Sequence, residues 1–307
     1  MRGVLVAAVG ALAVLIPWVA GEAVVNWALL VLLQVVVAQS WNLLAGYGGQ
    51  VNLGHAAFFG IGALVTRGLW MQGMPVAVAL PVGCAAAVGA GLLVGVPSLR
   101  LRGPYFAIGT LAMAEILRIV VATVLPEVSA LPAELIAGYQ LLPRYYLVLL
   151  LAVAATGAVW LVEQSRFGMG LLAVREDEGV AEAVGVDSYR HKLLAFLLSA
   201  SLAGAAGGAF GYYHLSFYPQ FAFSPVWTFD AVLMVFLGGI GTVWGPPVGA
   251  AFFVLLREAL ALRLTELHVL VFGAVFVVVV LALPGGLVDF ARVLRLRWVR
   301  AARPGQA

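Results

Sequence analysis

Asn42, Gln50, Asn52 and His55 share one short stretch with Gly46, Gly48, Gly49, Gly54 and Gly60, in a chain that is 64% hydrophobic. Amides offer paired donors and acceptors, and a neutral imidazole offers one of each. Such groups bind a polar solute or order water. In hydrocarbon each is costly unless it faces protein or water. Glycine relaxes the backbone limits of a helix, so the stretch reads as a broken helix whose freed amides line a cavity. Asn42, Gln50, Asn52 and His55 are therefore the candidate lining of a translocation path. A second stretch of the same character, Leu237 to Phe253, holds Gly238, Gly239, Gly241, Gly245 and Gly249. Both contain Gly-Gly and both run into Ala-Ala-Phe-Phe, at 56–59 and 250–253, which hints at the internal repeat of many transporters. Most of these glycines suit packing. Gly48, Gly49, Gly54, Gly238, Gly239, Gly241 and Gly245 are read as structural, with Gly241, Gly245 and Gly249 as a small-xxx-small row.

Catalytic chemistry has little support. A P-loop needs a lysine that reaches phosphates, and Lys192, the sole lysine, follows His191 and precedes leucines. His55, His191, His214 and His268 are widely separated and Cys84 is alone, so no metal-ligand set is visible. Ser165, Ser199 and Ser201 have no base nearby in sequence. The chain is expected to bind no cofactor and to have no catalytic residue. Transport is the class that remains, driven by an ion gradient or by a partner protein.

The elements that must position these residues are membrane spans. Mean hydropathy is +1.07 over 307 residues, and a spanning helix needs about 20 apolar residues. An all-α polytopic membrane protein of about ten helices follows, as a single domain over 1–307. The expected spans are 4–20, 24–44, 53–72, 75–97, 104–125, 145–163, 191–213, 224–241, 246–262 and 267–284. The first reads as a retained anchor, since Trp18-Val-Ala20 is a poor cleavage site. The segment 126–144 is the longest loop opposite the charged stretch and reads as a connector. The net charge of +3 comes from basic residues at span ends and in the tail 288–307, which sets orientation and does not indicate nucleic acid. Arg100, Arg102, Arg166, Arg175, Arg190 and the tail arginines share one side, so both termini and the loop 167–188 are expected in the cytoplasm.

That loop is the one place where charge concentrates. Arg175, Glu176, Asp177, Glu178 and Glu182 lie close together in a protein that is only 10% charged. A compact, helix-compatible charged loop suits a soluble partner. Two further acids, Glu115 and Asp230, lie inside apolar runs, where carboxylates mark pathways by default. Arg118, one turn from Glu115, favours structural compensation there. Asp230 stays open between the two roles.

Five blocks carry a family resemblance. They are Gly46-Tyr-Gly-Gly-Gln-Val-Asn-Leu-Gly-His-Ala-Ala-Phe58, Tyr105-Phe-Ala-Ile-Gly-Thr-Leu-Ala-Met-Ala-Glu-Ile116, Arg175-Glu-Asp-Glu-Gly-Val-Ala-Glu-Ala-Val-Gly-Val186, Lys192-Leu-Leu-Ala-Phe196 and Gly238-Gly-Ile-Gly-Thr-Val-Trp-Gly-Pro-Pro-Val-Gly-Ala250. In this order they resemble the membrane subunits of branched-chain amino acid ABC importers, specifically the larger of two sister permeases. The resemblance implies a bacterial or archaeal cytoplasmic membrane and a heterodimer with the sister permease. It also implies two ATP-binding subunits, which consume the ATP, and an external substrate-binding protein. The charged loop would be the coupling helix seated in an ATPase cleft. Leu171, Val174, Ala181 and Val184 would share its apolar face, Arg175, Glu176, Glu178 and Glu182 would be its polar part, and Gly185 its C-cap. The broader permease signature Glu-Ala-Ala-x-x-x-Gly is shortened here to Glu182-Ala-Val-Gly185. The rival readings are a urea or short-amide permease of the same family, an ion-coupled secondary amino acid transporter, and a membrane scaffold.

Overall fold

The computed structural model describes residues 2–101, 103–125 and 129–263, with positions 273, 274, 277, 278, 281 and 285–290. In chain order the helices are α1 (Arg2–Val19), α2 (Glu22–Asn42), α3 (His55–Met71), α4 (Val76–Ser98), α5 (Pro104–Val124), α6 (Ala133–Ala137), α7 (Leu141–Gln164), α8 (Arg166–Glu176), α9 (Glu178–Ala183), α10 (Ser188–Tyr213), α11 (Pro219–Ala222), α12 (Val226–Gly238) and α13 (Gly245–Arg263). A π-helical turn, Leu43–Tyr47, extends α2. Expected spans from 4–20 through 246–262 each coincide with one of these helices, and 267–284 and the tail lie mostly outside the described residues. Among the described residues, six segments are long and apolar enough to cross a membrane: Glu22–Tyr47, Val76–Ser98, Pro104–Val124, Leu141–Gln164, Ser188–Tyr213 and Pro219–Gly238. The chain is an all-α polytopic membrane protein.

The segment 126–144 is more than a connector. Ser129–Ala130 (β1) pairs antiparallel with Ser216–Phe217 (β2), α6 follows, and α7 begins at Leu141 rather than 145.

Two long helices form the heart. α2 packs on α7, α10, α12 and α13, and α10 packs on α2, α3, α4 and α7. Every residue of α2 from Leu33 to Asn42 is enclosed: Leu33, Gln34, Val35, Val36, Val37, Ala38, Gln39, Ser40, Trp41 and Asn42 are all buried. A helix with no solvent or lipid face is apolar all round or satisfies its polar groups internally; α2 pairs Ser40 and Asn42 within the bundle and leaves Gln34 and Gln39 each with an unpaired Oε1. α5 is the opposite case. Only Phe106, Thr110 and Ala114 of its residues are buried, while Ile108, Ile116, Ile119 and Val124 face outward. Such a side belongs against hydrocarbon or another apolar helix.

Small residues let these helices touch. A Cβ added to Gly207 of α10 would strike the carbonyl oxygen of Phe59, and one added to Gly62 of α3 would strike that of Gly204. Gly207→Val should therefore destabilise the fold by about 3 kcal/mol, the upper range for overpacking. The check is the thermal midpoint in detergent, with Gly68→Val as control because a Cβ at Gly68 meets nothing within 4 Å. Equal midpoints for the two variants would refute close α3–α10 packing.

Candidate functional site

The first glycine-rich stretch is a break between two buried helices. α2 ends in the π turn, the chain runs without regular structure through Gly48–Gly54, and α3 restarts at His55. π turns inside helices are frequent at functional sites. Gly49 sits at φ 68° and a Cβ there would meet Cγ of Arg175 at 2.6 Å, so both backbone and space call for glycine.

The polar residues of this break are held by named partners. Asn42 is fully buried; its Nδ2 donates to the Thr242 carbonyl at 3.0 Å and its Oδ1 accepts from the Gly241 N–H at 2.9 Å. Asn52 Oδ1 accepts from the Gly54 N–H at 2.8 Å, and the Asn52 carbonyl accepts from Trp41 Nε1 at 2.9 Å. His55 Nε2 lies 2.7 Å from Ser40 Oγ. The Ser40 hydroxyl donates to the Val37 carbonyl at 2.7 Å, which leaves its oxygen to accept and directs the imidazole to donate from Nε2. Ser199 of α10 donates to the Ser40 carbonyl at 2.7 Å. Thr228 of α12 accepts from the Ala56 N–H at 2.9 Å, satisfying a donor that the first turn of α3 cannot pair itself. Thr110 of α5 accepts from the Leu53 N–H at 3.2 Å, so five helices, α2, α3, α5, α10 and α12, converge on residues 40–56. Gln50 is half-buried, with a buried Oε1 that no protein group pairs.

Asn42 joins the two glycine-rich stretches to each other. Gly241, at φ 70°, presents its N–H to Asn42, and a Cβ on Gly46 would meet the Gly241 nitrogen at 2.7 Å. Gly48 packs on the Leu44 carbonyl, Gly54 on that of Thr110, Gly238 on that of Gly245 and Gly245 on that of Gly239. Gly239 lies at φ 125°. The expected small-xxx-small row is not formed, because Gly241 lies in the turn before α13. Gly249 alone of the three packs across helices, on the Met234 carbonyl of α12.

The charged loop is two helices, not one. Asp177, at φ −157° and ψ 116°, ends α8 and N-caps α9 by accepting from the Val180 N–H. The expected common face of Leu171, Val174, Ala181 and Val184 is therefore not formed. Leu171, Val174 and Ala181 are buried within the chain itself, whereas Val180 and Val184 are exposed. Gly185, at φ 89°, ends α9, with the Val186 N–H reaching back to the Ala181 carbonyl. Glu178 pairs with Lys192 of α10 at 2.6 Å, and Glu176 with Arg175 at 2.8 Å. Glu182 is exposed. Arg175 does what spacing could not reveal: its Nη1 donates to the Gly46 carbonyl at 2.6 Å and lies 3.1 Å from where a Gly241 Cβ would sit. The charged loop is thus hydrogen-bonded to the first glycine-rich stretch and lies close against the second.

The two intramembrane acids have partners. Glu115 accepts two hydrogen bonds from Arg118, as the one-turn spacing led one to expect. Asp230 pairs with Arg257 of α13 at 3.1 Å. Two cavities adjoin these groups. One, of about 550 Å³, is bounded by Arg118, Ser216, Tyr218 and Gln220; the other, of about 270 Å³, holds Asp230 and Arg257. Phe210, His214 and Phe221 line both. The sequence marked Asp230 as an open candidate but did not show the cavities; Gln34, a lone amide in an apolar run, was the signal that was missed.

The family model described as branched-chain amino acid transport system / permease component matches residues 23–280. The chain is 28% identical over 314 aligned residues to the high-affinity branched-chain amino acid transport system permease protein LivM of Escherichia coli K12, covering 92% of this chain and 73% of that protein. It is 27% identical to the LivM of Salmonella typhimurium LT2, with the same coverage. No solved structure matches it at a significant level. A bundle of apolar helices broken by two mutually clasped glycine stretches, matched over most of its length by this family, places the chain among the branched-chain amino acid transport permeases.

Proposed function

We propose that the chain forms half of the translocation path of an ATP-driven importer for branched-chain amino acids, as one of two sister permeases in the cytoplasmic membrane. Two ATP-binding subunits dock on its cytoplasmic face and an external binding protein delivers the solute. The whole chain is one permease domain of about ten spans, with both termini, the loop 167–188 and the tail 288–307 in the cytoplasm. The observation that carries this reading is the clasp of α8 by Arg175. A segment that is polar outside, hydrogen-bonded inside to the first helix break and close against the second can convert motion of a docked partner into motion of the path. The docking surface is then the outward side of α8–α9, with Glu176, Glu182, Val180 and Val184, while Leu171, Val174 and Glu178 hold the segment to its own bundle. Asn42, Asn52 and His55 keep the break in shape, and Gln50, with its unpaired oxygen, is the path-facing member of the set.

Reconstitution tests this. The chain purified alone should hydrolyse no ATP. With its sister permease, both ATPase subunits and the binding protein in liposomes, it should import labelled leucine only when ATP is supplied to the ATPase side. Uptake driven by an ion gradient without the ATPase subunits would defeat the proposal, and import of labelled urea in place of leucine would move the assignment to the short-amide reading.

A further inference from the structure

The 270 Å³ cavity between α2, α12 and α13 has the chemistry of a small zwitterion site. Its size is near the lower end, roughly 300 Å³, of small-ligand pockets. Asp230 is well shielded, its side chain only 13% exposed, and Glu258 adds a second carboxylate to the lining. Gln34 is more than nine-tenths buried, lines the cavity, and its Oε1 has no hydrogen-bond partner. A buried acceptor left unpaired is costly and seeks a donor. Acceptors from Gln34 and Asp230 on one cavity suit an ammonium group. Arg257 supplies the opposite charge. The ion pair joins one oxygen of Asp230 to one nitrogen of Arg257, and a carboxylate and a guanidinium each have further hydrogen-bonding capacity. The remaining wall is apolar, with Leu33, Trp227 and Val254. Phe210, His214 and Phe221 also line the larger cavity, so the two cavities share an aromatic wall.

We propose that this cavity binds an aliphatic α-amino acid within the permease itself. Asp230 and Gln34 take the ammonium group, Arg257 takes the carboxylate, and Leu33, Trp227 and Val254 take the side chain. This rests on the importer reading for its substrate class and adds to it a site in the membrane subunit. The ligand sits beside the aromatic wall after leaving the larger cavity, so the permease selects what it passes.

Equilibrium binding of tritiated leucine to the assembled permease–ATPase complex, with the external binding protein omitted, tests the site. Saturable binding is expected, competed by isoleucine and valine but not by leucinol, which lacks the carboxylate, or by 4-methylpentanoate, which lacks the ammonium. Asp230→Asn and Gln34→Leu should each weaken binding at least tenfold. Because loss of the ion pair could unsettle the fold, the double variant Asp230→Arg with Arg257→Asp keeps a pair while displacing the ammonium acceptor. A merely structural pair predicts wild-type leucine binding in that double variant; the site predicts an assembled complex with binding still weakened at least tenfold. No saturable binding by the wild-type complex, or unchanged affinity in Gln34→Leu and Asp230→Asn, overturns the site. If that complex, once the external binding protein is restored, still imports leucine with ATP, the importer reading stands; if it then imports none, that reading falls separately.

Discussion

Asn42→Leu is expected to lower the stability of the protein by about 2–6 kcal/mol. The leucine fills a similar volume but leaves the Gly241 N–H and the Thr242 carbonyl without the partners they have at 2.9 and 3.0 Å. An unpaired buried donor or acceptor costs about 1–3 kcal/mol each, and Asn42 has no exposed surface through which water could replace it. Asn42→Asp should fall between, since it keeps an oxygen for Gly241 and sets a carboxylate against the Thr242 carbonyl. The measurement is the thermal midpoint in detergent, with uptake followed in parallel. An unchanged midpoint for Asn42→Leu would show that the two glycine stretches hold together without this clasp.

Arg175→Gln is expected to reduce leucine uptake about tenfold while insertion and assembly with the ATPase subunits persist. The lost bond is charge-assisted and short, 2.6 Å to the Gly46 carbonyl. Such bonds contribute about 1.5–3 kcal/mol. The lower end applies here because the side chain is 36% exposed, and about 1.4 kcal/mol corresponds to a factor of ten. Glu176→Gln is the control. It removes only an ion pair whose carboxylate is 73% exposed, of a kind worth about 0–1 kcal/mol, so transport should change little. Initial uptake rates in membrane vesicles, normalised to the amount of assembled complex, decide the matter. Equal rates for Arg175→Gln and the parent would remove α8 from the transmission route.

Much of this was legible in the chain because the bilayer imposes a length. An apolar run must be about 20 residues to cross, so the helices from α2 to α5 could be placed from hydropathy to within a few residues. Local chemistry was legible too. Glu115 and Arg118 are one helical turn apart, and Gly185 closes the helix-compatible charged stretch where a positive φ ends a helix. Loop composition hid the rest. In 126–144, β1 and α6 are short, and β1 exists only because Ser216–Phe217 lies beside it.

The amphipathic pattern of 171–184 shows what periodicity omits. Leu171, Val174 and Ala181 were expected to face a partner, and they face their own bundle instead. A helical stripe records which residues avoid water but not whose surface covers them. Asp177 adds a break that stripe counting passes over, since its capping bond to Val180 is local and needs no change in hydrophobicity.

By itself the sequence determined the membrane class, the order of the spans, the two helix-breaking glycine stretches, the charged loop and the family. The family rests on the resemblance of five blocks, and the others on composition and on spacings within one or two turns. Tertiary structure alone decided which distant residues meet. Arg175 reaches a carbonyl 129 positions away, Asn42 an N–H 199 away, and Asp230 a guanidinium 27 away. The reason is physical. In a low-dielectric interior each isolated polar group must find a partner, but many partners are chemically equivalent, and only the packing of backbones at glycine contacts selects one.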